Sequence, residues 1–389
     1  MSIAPGVIIL GAEYQALGLL RRLAGEQIPC VLIDQDKWGA ARFSRYRSPF
    51  HQSPRYDSDE FWPWLVNLAE RQNFRGWVLV PTDDEQVRQI ARHFDAATAM
   101  FRCGGMAWDE YSVLYDKRLN YQWCLRHGIT TPKSYIPHSR EDVTGMELTF
   151  PWIIKPAFKR NFSKHSKAKA IRINSHEELK ANLNGDLAAV PVEDLLYQEI
   201  IPGDGRNQWS YAGLFVEGEA IAAFTACRRR QHPPDFGRAS TYVMAEPNDK
   251  IEQESRRIMK LLRYTGLAEV EWKQDPRDGQ YKFLEVNARS WGWHSLASHV
   301  VGNLPKMFYD HLLGKQLVPV QAQYGWRWVK HVTDLPVALH LWRRNELGLK
   351  AYLQSLRGQV TCCEWERGDP LPFFLQFLLV PYLMIKRGY

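Results

Sequence analysis

The stretch VEWKQDPRDGQYKFLEVNAR, Val270 to Arg289, constrains this chain more than any other. VEW and KFLEVN alternate apolar with polar residues, and DPRDG between them, Asp275 to Gly279, carries turn chemistry, so the pattern predicts a β-hairpin. Residues two apart on a strand face the same side, which puts Glu285 and Asn287 together. Glu271, on the partner strand, can arrive at the same spot. Two carboxylates and an amide oxygen make a hard, all-oxygen set suited to Mg²⁺ bridging nucleotide phosphates. Arg289 follows on the same face, within reach of a phosphoryl group. The competing reading is a surface hairpin with ordinary charges; the alternation favours one dry face and one working face.

Those residues, FLEVNAR with its upstream glutamate, resemble the metal-binding end of the ATP-grasp superfamily, in the carboxylate–amine ligase branch related to D-aspartate ligases and carbamoyl-phosphate synthetase. The family pattern more often has Pro between Asn and Arg; here Ala288 stands there, a departure that touches no ligand.

With 389 residues, the chain is long enough for two or three packed subdomains. Its apolar fraction of 45% and charged fraction of 24% are those of a soluble globular protein. The formal charge of +7 favours anionic ligands. No nucleic-acid motif accompanies it, so a nucleotide substrate is the expectation and nucleic acid is not. The 15 tryptophans are scattered, which suits core and cleft walls. None of the six cysteines has zinc spacing, and the adjacent Cys362 and Cys363 cannot serve as an ordinary disulfide staple. Reduced thiols in the cytoplasm are expected. The amino terminus lacks the basic start and cleavage site of a signal peptide.

GVIILGAEYQALGLLRRLAGEQIPCVLID reads as strand, helix, strand, and a helix around Asp59 to Gln72, a strand Trp77 to Pro81 and a helix Asp83 to Phe94 follow. Gly11 and Gly18 lack the GxGxxG spacing of a dinucleotide fingerprint. The fold class is therefore α/β and α+β. By the resemblance, a doubly wound pre-ATP-grasp α/β domain spans residues 1–112, a two-lobed ATP-grasp domain 113–316, and a carboxy-terminal extension of unassigned role 317–389.

A helix from about Asp116 to His127 stops at Gly128. Lys117, at its start, has a family counterpart that reaches the nucleotide phosphates. The apolar strand Trp152 to Ile154 delivers Lys155 to its end, where a compact charge can follow a transferring phosphate. The loop Ala157 to Lys169 after it is basic and has no glycine, so its side-chain cations either replace part of the usual Gly-rich cradle or are merely solvated. The resemblance makes Gln198, Glu199, Ile200 and Ile201 the hinge on which adenine lies, and Asp204 the ribose ligand, with Asn207 in reserve. Arg229, Arg230 and Arg238 lie in RRRQHPPDFGRASTY, which resembles a substrate loop; guanidinium matches planar oxyanions with two parallel hydrogen bonds, although a solvated charge run reads the same way. His294 is either a base on the incoming amine or a structural histidine.

In the tail, helices are expected around Leu335 to Arg344 and Leu349 to Arg357, and Pro372 and Pro381 should break the apolar run LPFFLQFLLVPYLMIKRGY. That run either packs on the body or makes peripheral contact with a membrane surface, with Lys386 and Arg387 at the headgroups. The reaction implied by the resemblance is ATP-dependent joining of a small carboxylate and a small amine through an acylphosphate, with release of ADP and phosphate. Lys155 and Arg289 would act on the phosphoryl group, and Mg²⁺, or Mn²⁺ in its place, would be the metal. The rival is a nucleotide-binding or membrane-peripheral assembly protein that keeps the fold without catalysis.

Overall fold

Four short apolar runs begin the fold: Val7–Leu10 (β1), Cys30–Asp34 (β2), Phe50–Gln52 (β3) and Val78–Pro81 (β4). They form a parallel sheet of order β3-β2-β1-β4. Because side chains alternate across a strand, Val7, Ile9, Leu32 and Val80 enter one core with Leu17, Leu20 and Leu23 of the helix Tyr14–Ala24. Ile8, Leu10, Val31, Ile33 and Leu79 enter another with Phe61, Leu65 and Leu68 of the helix Phe61–Arg71. Helices on both faces make this the doubly wound layer. After β1 the chain turns at Gly11, whose φ of +114° and closeness to the Thr82 hydroxyl leave no room for a side chain. The helix expected from Asp83 to Phe94 ends at Arg92, and a second helix, Phe94–Met100, follows.

The structure, a computed structural model, describes residues 4–145, 149–157, 170–185, 187–233 and 239–382. The chain packs as two units, one made of Met1–Trp108, Asp204–Val270 and Asn287–Tyr389, the other of Asp109–Gly203 and Glu271–Val286. The second unit holds an antiparallel sheet of order β5-β8-β6-β7, from Ser134–Tyr135 (β5), Trp152–Pro156 (β6), Ile171–Ile173 (β7) and Leu195–Glu199 (β8). Trp152, Ile154, Ile173, Leu195 and Tyr197 form its core against Leu179 and Leu183 of the helix His176–Asn184.

A further sheet in the first unit has Gln208–Val216 (β9), Glu219–His232 (β10) and Ala239–Ala245 (β11) as antiparallel neighbours. Glu217 and Gly218 join β9 to β10, both with positive φ as a tight hairpin turn requires. The expected metal hairpin is present as Gly266–Gln274 (β12) and Tyr281–Asn287 (β13), with β12 beside β9 in strand order. The tail contributes two strands that its sequence hides, Arg327–Val329 (β14) on β11 and Val360–Cys362 (β15) on β14. At three residues each they are too short to show alternation.

The tail helices are His331–Arg343, Leu349–Ser355 and Leu371–Leu378. Pro372 does not break the apolar run; it sits in the first turn of the last helix, where its missing N–H costs nothing. Lys386 and Arg387 lie outside the described residues, as do the loop residues 158–169 and Arg238. No described helix is long and apolar enough to cross a membrane. All six cysteines are free thiols.

Besides the β14–β11 pairing, buried carboxylates of the tail, Asp334 and Asp369, tie it to the body. Asp369 accepts hydrogen bonds from Arg21 Nε (2.9 Å), the Ser44 hydroxyl (2.7 Å) and the Arg45 N–H (2.8 Å). The Arg21 guanidinium also reaches the Glu364 and Asp369 carbonyls. Asp369→Ala should leave the buried Arg21 guanidinium with only the more distant Glu366 carboxylate, 3.7 Å away, and lower stability by about 3 kcal/mol, read as the shift in urea midpoint. A loss under about 1 kcal/mol would show that water reaches Arg21.

Candidate active site

Within the second unit, the sequence candidates gather around two lysines. Asp116 caps the helix Lys117–Arg126, so Lys117 opens that helix, and its ammonium lies 3.0 Å from Glu285 Oε2 on β13. Strand β6 carries Lys155 beside β8, where its Nζ donates to Gln198 Oε1 at 2.7 Å; Gln198 Nε2 donates in turn to the Ser134 hydroxyl on β5. The partner of Lys155 is thus a neutral amide. Burial first, then the neighbouring charges of Lys117 and Lys273, bring the Lys155 pKa down to about 8, with Glu285 and Glu271 working against that shift. Lys117, Lys155, Glu271 and Glu285 therefore share one electrostatic neighbourhood.

The expected adenine hinge follows on β8. The Ile200 N–H donates to the Pro151 carbonyl, the Glu199 N–H to the Lys133 carbonyl, and Ile201 is buried. Burial raises the Glu199 pKa, but the Lys133 N–H and the cations of Arg277 and Lys282 hold it below the usual carboxylate range. Glu199 thereby clasps the β12–β13 turn: Arg277 bonds Glu199 at 2.8 Å, and Lys282 joins it to Asp275. Sequence reasoning missed this role, because Arg277 and Asp275 read as ordinary turn charges.

Within the first unit, Arg289 has all its guanidinium nitrogens engaged. Nε meets Asp84 Oδ1 at 2.6 Å, NH1 the Ser290 carbonyl, and NH2 the Asn287 amide oxygen at 3.1 Å. Burial opposes the charge, yet Asp84, Asp83 and Glu269 raise the pKa above the ordinary arginine value. Asn287 Nδ2 donates to Glu269 Oε2 at 3.1 Å, while Glu269 Oε1 accepts from Ser210 and Trp293. Glu269 was not foreseen, although AEVEW places it two residues before Glu271, on the same strand face.

Other candidates in this unit are committed elsewhere. Arg230 is a structural cation: it is buried in a bidentate pair with Asp334, both contacts 2.8 Å, and stacks on Tyr242. Arg229 pairs with Glu246 at 2.5 Å and remains partly exposed. Asp204 accepts from the Arg206 backbone and side chain as the cap of a short turn, and Asn207 donates its N–H to the Asp204 carbonyl. His294 is structural. Its Nδ1 lies 2.9 Å from the Trp291 carbonyl, and its buried Nε2 would be 2.7 Å from a methyl group placed on Gly18. Burial pushes this ring down to about 4, so it stays neutral. Gly18 is therefore a packing glycine for His294.

Among the described residues no cluster of three His, Cys, Asp or Glu side chains marks a metal site. The expected donors are two carboxylates and an amide, a set that such a cluster does not include. Glu271 and Glu285 suit a hard cation by chemistry, and Lys117 already places one positive charge on Glu285.

Residues 238–307 match the family described as "Carbamoyl-phosphate synthase L chain, ATP binding domain". The chain is 24% identical over 298 residues to a D-aspartate ligase of Enterococcus faecium (strain Aus0004), covering 72% of this chain and 70% of the relative. Among solved structures it is similar to the biotin carboxylase domain of Hydrogenobacter thermophilus 2-oxoglutarate carboxylase in complex with MgADP, ADP and bicarbonate. There the TM-score is 0.65 and the identity 16%, over 82% of this chain and 73% of that one. It is likewise similar to an L-amino acid ligase from Bacillus licheniformis, with a TM-score of 0.60 and 13% identity over 80% and 75% of the two chains.

Anionic phosphates favour the ammonium form of Lys155. On the reading that this cluster takes Mg-ATP, affinity should be steady below pH 8 and fall as pH rises through about 8, by up to roughly tenfold per unit. Calorimetric titration of the wild type and Lys155→Gln checks this: the variant should lose the slope. An equal slope in both would place the titrating group elsewhere.

Proposed function

We propose that this chain, which has the ATP-grasp fold, is an ATP-dependent carboxylate–amine ligase that forms an amide bond through an acylphosphate and releases ADP and phosphate. The observation that carries the reading is the pair Lys117 and Lys155, held in one electrostatic neighbourhood with Glu271 and Glu285. Phosphoryl transfer needs charge neutralisation and alignment more than covalent help from side chains. Lys155 sits at the end of β6 and binds the transferring phosphoryl oxygens, giving up its bond to the Gln198 amide. Lys117 binds phosphate oxygens from the first turn of its helix. Glu271, Glu285 and Asn287 would hold Mg²⁺, or Mn²⁺ in its place, which supplies neutralisation of phosphate charge. Asn287 enters this set through its place two residues after Glu285 on β13.

Arg289 contacts the phosphoryl group only if it exchanges one of its present bonds, and Asp84 keeps it charged in either arrangement. Within the hinge Gln198 to Ile201 the Glu199 and Ile200 N–H groups are committed to the Lys133 and Pro151 carbonyls, so the remaining backbone groups of the segment read the adenine while the Gln198 and Glu199 side chains stay with Lys155 and the β12–β13 turn. Asp204 takes the ribose hydroxyls on releasing Arg206. Arg229 and Arg238 remain the proposed holders of the substrate carboxylate, Arg230 and His294 being structural. The relatives that ligate D-aspartate and L-amino acids support an amino acid as one of the two small substrates. Cytoplasmic action is part of the proposal, supported by free thiols and the need for ATP. Peripheral contact of the carboxy-terminal segment with a membrane is a separate proposal that this chemistry does not require.

With a panel of amino acids and Mg-ATP, ADP formation should depend on both the acid and the metal, and hydroxylamine should trap the activated acid as a hydroxamate. Lys155→Ala should slow this about a hundredfold, on the order of 3 kcal/mol of transition-state stabilisation. Glu285→Gln should abolish turnover with the fold intact. AMP as product overturns the acylphosphate route, and no turnover across the panel favours the non-catalytic rival.

A further inference from the structure

The helix Leu371–Leu378 turns Pro372 and Gln376 inward and leaves an apolar stripe in solvent. Leu371, Phe374 and Leu378, at helical spacing, are 52%, 55% and 74% exposed. The half-exposed Trp365 extends this stripe, its ring meeting those of Phe373 and Phe374. The helix packs against the turn Ala40–Phe43, and Tyr382 bonds Asp36 just before it. The exposed Trp38 stacks on Phe43 at the end of that turn.

Cations predominate on this face, with Glu366 as a partly exposed acid near Arg45. Lys37, Arg42, Arg45 and Arg47 are exposed around that turn. Arg42 donates to the Lys37 carbonyl and lies over Phe50, and Arg45 lies over Tyr46, so neither of these bonds places a carboxylate on the guanidinium. The acids of the same region are occupied or hidden: Asp369 and Glu364 are buried, Asp36 accepts from Tyr382, and Glu366 pairs with Arg22.

We propose that this face docks on an anionic lipid surface. Exposed aromatic and aliphatic side chains beside a cluster of cations fit the boundary between acyl chains and anionic headgroups, and an eight-residue helix can lie in that plane without spanning it. A second copy of the chain fits less well, because a two-fold contact would set the same cations against themselves. The inference is independent of the proposed ligase activity.

The test is co-sedimentation of the full chain with phosphatidylcholine vesicles, with and without phosphatidylglycerol, at low and high salt. Binding should require phosphatidylglycerol and weaken with salt. The double change Phe374→Asp and Leu378→Asp should lower affinity roughly tenfold or more. Should that variant misfold, Arg42→Glu with Arg45→Glu should do the same through charge alone. Overturning results are no binding to phosphatidylglycerol vesicles, equal binding by the variants, or a dimer that Leu378→Asp disrupts with no vesicle binding.

Discussion

The Lys155 ammonium is the constraint on which the candidate site depends. Strand β6 fixes it where burial and Lys117 both oppose its charge, and the fold gives it a neutral amide as hydrogen-bond partner. A lysine with only a structural task would be more stable beside a carboxylate, or left in water. Holding two ammonium groups in one neighbourhood has a cost that a polyanion relieves. Glu285 and Glu271 limit that cost in its absence, and the ion pair of Lys117 with Glu285 is the clearest sign of the balance. The same carboxylates can then take a divalent cation when phosphate neutralises the lysines. In the proposed reading, attraction to nucleotide and readiness for metal come from one set of charges.

Charge in the first unit serves a different end. Glu269 ties together Ser210, Trp293 and Asn287, and Asp84 fixes Arg289. Each polar group has its partner before any ligand arrives, so these residues are preorganised rather than poised. The same economy governs the Arg230–Asp334 and Arg21–Asp369 pairs, which are buried and hold the tail to the body. Cations that look alike in sequence therefore differ in burial: Arg21 and Arg230 are buried with their carboxylates, whereas Lys117 and Arg229 keep partly exposed ion pairs.

That division explains what the sequence revealed and what it concealed. The hairpin from Glu271 to Asn287 was legible because alternation and turn chemistry are local. The doubly wound layer was legible because β1 and β2 are apolar on both faces. Arg230 and Asp334, 104 positions apart, could not be matched by any local pattern, so Arg230 passed for a substrate ligand. His294 was ambiguous for the same reason: Gly18, which gives its ring room, lies far away in the chain. The strands β14 and β15 take their conformation from the sheet edge they extend, and three residues cannot show a period.

The most direct test of the central claim follows oxygen atoms. Turnover of Mg-ATP with amino acids carrying heavy oxygen in the carboxylate, in ordinary water, reveals which group attacks the nucleotide and where. Attack on the γ-phosphoryl group predicts that one labelled oxygen leaves in inorganic phosphate and none enters the nucleotide product. Label in AMP, or phosphate free of label while the amide forms, would contradict the account.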